Sequence, residues 1–253
     1  MIDVSVIINL HHEGRLCQGT LESVIEAARL GENLSISTEI LCIIDNGNRA
    51  TLDAVDRYKD IVRIHECAFR DLSKARNFGV SVCKGKFITF IDGDDLWGNQ
   101  WIARCLQLAH SRQNSKLIIH PQMNVFFGNH TPPSLWIHPN VLTNEIDLAD
   151  IFVANKWTAL SFAAREIYEA FPYVPNEIDQ GFGYEDWLWN IQTLLEGFEH
   201  MSCPKTCHFI RRKGEGSLLA ATNARQSIPN LYQLKDFAAF KQSLSKVLQS
   251  EQA

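Results

Sequence analysis

The chain has 253 residues, and 24 Lys and Arg against 29 Asp and Glu leave a formal charge of −5. At 45% apolar and 21% charged residues it can bury the core of one large α/β domain or two small ones, which excludes a disordered chain. Its mild acidity argues against a nucleic-acid partner, whose binders carry a basic surface, but leaves room for a local basic pocket.

In chain order, Val4 to Leu10 is a short apolar run that predicts a buried strand. Thr20 to Leu30 places Leu21, Val24, Ile25 and Ala28 on one helical face. Glu39 to Ile44 predicts a second strand, ending in the polar turn Asp45-Asn46-Gly47-Asn48. Thr51 to Tyr58 predicts a short helix, Val62 to Glu66 a third strand, Ser73 to Val82 a helix and Phe87 to Ile91 a fourth strand. That last strand runs into Asp92-Gly93-Asp94-Asp95. Alternating strands and helices with near-continuous apolar strands predict a mostly parallel sheet covered on both faces. Such sheets bind ligands beyond the carboxyl ends of their strands, where two strands here end in acids.

Beyond this region Trp101 to Ser111 predicts an amphipathic helix. Leu117 to Ile119 and Met123 to Phe127 predict two strands separated by His120-Pro121. Gly128 to Pro139 reads as loop, Ala163 to Phe171 as helix, Pro172 to Gly183 as a turn-rich loop and Trp187 to Gly197 as helix. Phe237, Phe240, Leu244, Val247 and Leu248 give the tail a helical apolar stripe, for packing on the body or for an interface with a second copy or a partner domain. No apolar run nears the roughly 18 residues of a membrane span, and no basic leader with a cleavage site precedes Val4. Seven cysteines, with Cys42, Cys83 and Cys105 inside apolar patterns, predict a reduced cytoplasmic protein rather than a disulfide framework. Cys203, Cys207 and His208 have metal-ligand spacing, but the fourth ligand of a closed zinc site cannot be named.

Four segments carry chemistry. Three carboxylates in Asp92-Gly93-Asp94-Asp95 repel one another unless a cation or donors compensate. Hard divalent ions such as Mg²⁺ or Mn²⁺ suit such oxygens, and Gly93 lets a ligand approach the backbone. The bland alternative is a polar turn in which Asp95 caps a helix. Asp71-Leu72-Ser73-Lys74-Ala75-Arg76-Asn77 opens a helix whose free N–H groups and Arg76 fork suit a nucleotide; equally, Asp71 or Ser73 is a simple cap. Glu185-Asp186 offers a general base, of which one member can face a substrate, or an acidic helix start that favours the dipole. His208 through Ser217 is a strand followed by a basic, glycine-containing loop suited to a diphosphate, or merely solvated.

These segments together resemble family 2 glycosyltransferases of the GT-A fold. Val4 to Glu13 is similar to the family's S-V-I-I-P-x-Y-N-E opening, and Glu39 to Asn48 to its E-I-I-V-V-D-D-G-S segment. Leu72 to Asn77 and Phe90 to Trp97 resemble L-S-x-A-R-N and F-L-D-x-D-D-x-W; Tyr184 to Trp187 resembles the E-D-W motif. The resemblance implies a Rossmann-like sheet flanked by helices, with a smaller acceptor-side region. It places a single domain over residues 1–220, with halves 1–120 and 121–220, before a helical tail over 221–253. It implies inverting, metal-assisted transfer from a nucleotide diphosphate sugar, UDP by default, to a glycan or lipid-linked acceptor. It also allows peripheral attachment to the inner face of a membrane.

Carried over by position, Asp45 would contact the base, while Leu10, His11 and Glu13 wrap base and ribose and Arg76 faces the nucleotide. Asp94 would be the best direct ligand of Mn²⁺ or Mg²⁺, with Asp92, also near the ribose, and His208 beside it. Asp186 would be the base with Glu185 in reserve, Gly93 would lie at the nucleotide sugar, and Arg211, Arg212 and Ser217 would form the mobile closing loop. Asn9, His11-His12, Asn46 and Asp71 depart from the family pattern and leave the nucleotide's identity open. Two rivals stand beside this reading. A sugar-phosphate nucleotidylyltransferase lacks support because His11 to Arg15 is a poor triphosphate loop. A degenerate glycan- or nucleotide-binding domain has the retained Asp92, Asp94 and Asp186 against it.

Overall fold

The computed structural model describes residues 1–112, 114–128, 132–140, 148–213 and 217–234. The glycines expected to let the basic loop move, Gly214 and Gly216, and the apolar stripe from Phe237 to Leu248 lie outside the described residues. Strand β1 (Val4–Leu10) is buried throughout and leads into α1 (Leu16–Glu32). Then follow β2 (Thr38–Asp45), α2 (Arg49–Asp56), β3 (Arg63–Cys67), α3 (Leu72–Val82) and β4 (Phe87–Asp92). Two caps fix helix starts. Asn48 accepts from the Thr51 N–H at 2.9 Å and Asp71 from the Lys74 N–H at 2.8 Å, each worth about 1 kcal/mol to its helix.

The two-residue β5 (Leu96–Trp97), α4 (Trp101–Arg112) and the long β6 (Leu117–Phe127) come next. They precede β7 (Ser134–Ile137), α5 (Leu148–Val153), β8 (Phe162–Ala164), α6 (Arg165–Ala170) and α7 (Glu185–Leu195). Finally β9 (Glu199–Arg211) leads to α8 (Leu218–Ala224). One mixed sheet runs in the order β3-β2-β1-β4-β8-β6-β9-β5, with β7 added to β6. The parallel expectation holds across β3, β2, β1 and β4. Further on, β8 is antiparallel to both β4 and β6, β9 is parallel to β6, and β5 is antiparallel to β9.

The alternation of β1 explains the two layers. Val4, Val6, Ile8 and Leu10 join α1 and α4 in one core, whereas Ile7 meets Ala75 and Val80 of α3 and Ile167 and Tyr168 of α6 on the other face. Among the described residues no helix is long and apolar enough to cross a membrane. All seven cysteines are free, and no group of three metal-binding side chains forms around Cys203 and Cys207 among the described residues.

Three segments differ from expectation. The strand predicted to break at His120-Pro121 runs through. Its register with β9 slips between Pro121 and Met123, and Gln122 fills the gap by donating its N–H to Thr206 Oγ1 at 3.0 Å. Proline has no N–H to lose at such a bulge. The stretch predicted as loop contains β7, which pairs residues 134–137 with Met123–Phe126. The helix predicted from Ala163 begins at Arg165, because Phe162 to Ala164 are taken by pairing with β4 and β6; tertiary pairing overrides the local preference.

Candidate active site

Because β1, β2 and β4 are parallel neighbours, Leu10, Asp45 and Asp92 arrive at the same edge of the sheet. Beyond that edge opens a cleft of about 1660 Å³. Its lining includes Leu10, His11, Glu13, Asp45, Asp92, Gly93, Asp94, Arg211, Arg212 and Ser217 from the predicted set, together with Asn9 and Lys213. Arg76, Glu185, Asp186 and His208 lie elsewhere. They line a second cavity of about 370 Å³ that shares Leu72, Asp92, Asp95, Ile210, Arg212, Leu218 and Leu219 with the cleft.

The first loop carries His11 and His12 as a stacked pair, with ring centroids 3.7 Å apart. His11 Nδ1 meets the Asp45 carbonyl and His12 Nε2 the Asn46 carbonyl, so each of these nitrogens is the donating one. Glu13 accepts the His11 N–H at 2.5 Å. The Asp45 carboxylate accepts three backbone N–H bonds, from Phe69 at 2.7 Å and from Arg70 and Asp71 at 3.0 Å. This side chain, expected at a base, thus anchors the loop that leads into α3. The buried amide of Asn9 has no hydrogen-bond partner among the described residues; the only sequence sign of it is its departure from the family's proline.

The acidic turn needs its glycine. A Cβ on Gly93 would lie 2.4 Å from Leu10 Cδ2 and 2.9 Å from the Asn9 carbonyl oxygen. Two of the acids have a cationic neighbour. Asp92 Oδ1 lies 3.2 Å from Arg76 Nη2, and Asp94 Oδ2 lies 2.9 Å from Lys213 Nζ. Asp95 faces β9 rather than capping a helix. It accepts the Arg211 N–H at 2.8 Å, and its Oδ2 lies 3.1 Å from His208 Nε2. Burial and the adjacent Asp95 push the Asp94 carboxyl up to about 6, against the pull of Lys213.

The cation seated on Asp94 is thus the Lys213 ammonium. Among the described residues no three His, Cys, Asp or Glu side chains converge into a ready-made cage. The donor set fits a hard divalent ion held by one or two carboxylates and completed by phosphate oxygens and water. His208, 3% exposed, makes its contact with Asp95.

Above the turn, Arg211 lies over the Phe127 ring at 4.6 Å and Arg212 over Phe126 at 4.3 Å. Ser217 caps α8 by accepting the Ala220 N–H at 3.1 Å.

In the second cavity, Tyr184 adopts left-handed backbone at φ 59° and turns the chain into α7. Glu185 is buried, with Oε1 2.6 Å from Arg76 Nη1 and Oε2 accepting from Asn176 Nδ2 at 3.0 Å. Asp186 accepts from Asn155 Nδ2 at 3.2 Å. Burial and then Glu185 push its carboxyl up to about 7, with Arg76 pulling the other way. Phe126, Trp136, Trp157, Tyr184 and Trp187 form the aromatic wall. Trp189, by contrast, is core: it stacks on Tyr168 and donates Nε1–H to the Phe171 carbonyl at 2.8 Å.

Residues 5–153 match Glycosyl transferase family 2. The chain belongs to this family. Poly(ribitol-phosphate) beta-N-acetylglucosaminyltransferase TarP of Staphylococcus aureus is 28% identical over 159 residues, 61% of this chain and 47% of TarP. Poly(ribitol-phosphate) beta-glucosyltransferase of Bacillus spizizenii is 25% identical over 152 residues, 58% of this chain and 23% of that protein. The Escherichia coli UDP-Glc:alpha-D-GlcNAc-diphosphoundecaprenol beta-1,3-glucosyltransferase WfaP is 30% identical over 96 residues, 37% of this chain and 36% of WfaP. The matched segment thus spans less than half the length of each of these relatives.

Among solved structures, S. aureus TarS 1-349 in complex with UDP-GlcNAc superposes with a TM-score of 0.63 at 13% identity, covering 87% of this chain and 61% of that one. Mannosyltransferase PcManGT from Pyrobaculum calidifontis, in complex with GDP-Man and Mn²⁺, superposes with a TM-score of 0.58 at 15% identity, covering 84% of this chain and 58% of that one. The mixed sheet flanked by helices in this family 2 chain is the GT-A fold of these neighbours.

Proposed function

We propose that the chain transfers a sugar from a nucleotide diphosphate sugar to a hydroxyl of a glycan or lipid-linked acceptor, with inversion at the anomeric carbon. One observation carries this reading. A cleft large enough for a nucleotide sugar and an aromatic-walled cavity holding Asp186 meet along a shared wall that includes Asp92, Asp95 and Arg212. A donor and an acceptor occupying the two would face one another across that shared wall. UDP is the preferred nucleotide, in keeping with the UDP-GlcNAc held by TarS and the UDP-Glc in the name of WfaP.

Asp186 takes the proton of the acceptor hydroxyl as its oxygen attacks the anomeric carbon, and the bond to the diphosphate breaks on the opposite face. A carboxyl raised to about 7 suits a base that works near neutrality. Trp136 and Trp187, half-buried in the cavity wall, orient the acceptor ring by stacking. Arg211, Arg212 and Lys213 at the end of β9 supply positive charge to the leaving diphosphate. Asp94 with Asp92 would hold Mn²⁺ or Mg²⁺, with His208 behind them. Such an ion supplies charge neutralisation of the departing diphosphate.

The test pairs binding with turnover. UDP, GDP, CDP and dTDP are each titrated against the protein with and without Mn²⁺, and Asp186→Asn is assayed beside the wild type. One nucleotide stabilising the fold chiefly in the presence of the ion is expected. Asp186→Asn is expected to keep that binding and to lose transfer by at least about 10²-fold. Loss of binding and transfer together would remove Asp186 from this role. Nucleotide binding with the donor sugar left intact under all acceptors would favour a binding domain instead.

A further inference from the structure

We propose that Arg76 is a positioning residue that ties the base-bearing start of α7 to the acidic turn after β4, rather than a contact to the nucleotide. The inference rests on the reading of Asp186 as the base. Arg76 is 1% exposed and lies on the covered face of α3. One guanidinium nitrogen, Nη2, reaches Asp92 at 3.2 Å, and the other, Nη1, reaches Glu185 at 2.6 Å. Its flat face lies 5.2 Å from the centre of the Tyr173 ring. A buried guanidinium is tolerated only with such compensation, and its planar fork fits two carboxylates at once. Both terminal nitrogens are engaged, and Arg76 is not part of the lining of the larger cleft.

The surrounding bonds make this joint rigid. Glu185 also accepts from Asn176, whose backbone N–H donates to Asp71 Oδ2 at 2.9 Å, and Asp71 caps the same helix that carries Arg76. Asn77 clamps Tyr173 from both sides, donating Nδ2–H to its carbonyl at 2.8 Å and accepting its N–H at 2.9 Å. The segment from Asp71 to Asn77 is thus a bolt between the two cavities. Glu185, with both oxygens engaged, is the counter-ion of that bolt and not a spare base.

Arg76 also acts through charge. Among the described residues, the ionisable groups that act on Asp186 are Glu185 on α7, Asp92 at the end of β4, Tyr173 and Tyr184 in the loops on either side, and Arg76 on α3. Of these only Arg76 favours the ionised carboxylate. Its loss leaves two adjacent acids without their cation, so the proton affinity of Asp186 rises.

The experiment compares Arg76→Met and Arg76→Lys with the wild type for UDP affinity, donor KM and the pH dependence of kcat. Arg76→Met is expected to keep UDP affinity and donor KM within about threefold, to lower kcat by at least about 10²-fold, and to move the acid limb of the kcat profile up by about one pH unit. Arg76→Lys, which keeps the charge without the fork, is expected to restore the limb more than the rate. Glu185→Gln serves where Arg76→Met does not fold: with one negative neighbour removed, the limb moves to lower pH. UDP affinity falling in step with kcat would overturn the inference, as would a limb that moves in none of the variants. If Asp186→Asn retains transfer, the reading of the base fails and this inference falls with it. If Asp186→Asn is inactive while the limbs stay put, the inference alone fails.

Discussion

Asp45 does its local work through residues distant in sequence. Its three backbone N–H donors are 24 to 26 positions further on, and charge-assisted bonds of this kind are about twice as strong as neutral ones. Asp45→Asn keeps the shape but exchanges one accepting oxygen for an amide. It is expected to destabilise the fold by about 1–3 kcal/mol, read by urea denaturation, and to speed amide exchange at Phe69, Arg70 and Asp71 above that of the β2 amides. The acid at a strand end was legible in the sequence because the apolar run of β2 stops there. Its partners were not, since no local pattern links Asp45 to residues 69–71. The same limit applies to Arg76, where the motif was visible but not the partners Asp92 and Glu185. The left-handed Tyr184 carried no sequence sign, since glycine or asparagine, not tyrosine, marks such backbone.

At the scale of elements, β6 and β9 enclose a row of buried histidines. His120 Nδ1 lies 3.2 Å from the Leu160 carbonyl and therefore carries the proton. His120 Nε2 then accepts from His200 Nδ1–H at 2.9 Å, and His200 Nε2 faces Thr193 Oγ1 at 3.0 Å. Burial holds His200 and His138 down to about 3 and His120 well below its ordinary value. Depressed histidines stay neutral in the fold but take up protons once unfolded. Their stabilisation is complete above pH 6.5 and is lost as the pH falls from there toward 3, at about 1.4 kcal/mol per pH unit for each histidine. The urea midpoint is expected to drop steeply between pH 7 and 5, and His200→Gln to flatten that slope. An unchanged slope would remove His200 from the account. The parallel half of the sheet was readable because each strand is a closed apolar run. The other half was not, because β6 carries its proline at a bulge and β8 has only three residues, both fixed by neighbours distant in sequence.

At the scale of the whole molecule, the cleft draws on the ends of β1, β2 and β4 from one part of the chain and on β9 and α8 from the other. A ligand there bridges both parts, so nucleotide with a divalent ion is expected to shift the unfolding of the entire sheet in one transition. The gain is about 2.7 kcal/mol at a hundredfold excess over Kd. Two separate calorimetric transitions, only one of them moved by ligand, would contradict it. The strand order has a consequence for synthesis as well. Among the described residues the last strand, β9, lies between β6 and β5, and β5 has no other strand neighbour. On the ribosome, then, the turn at Asp94 and Asp95 emerges more than a hundred residues before His208, Arg211 and Lys213, whose side chains and backbone N–H meet it. Such long-range closure is slow. The nascent chain must therefore carry an unsealed acidic turn until β9 slides into place between β6 and β5, so the site closes late in synthesis.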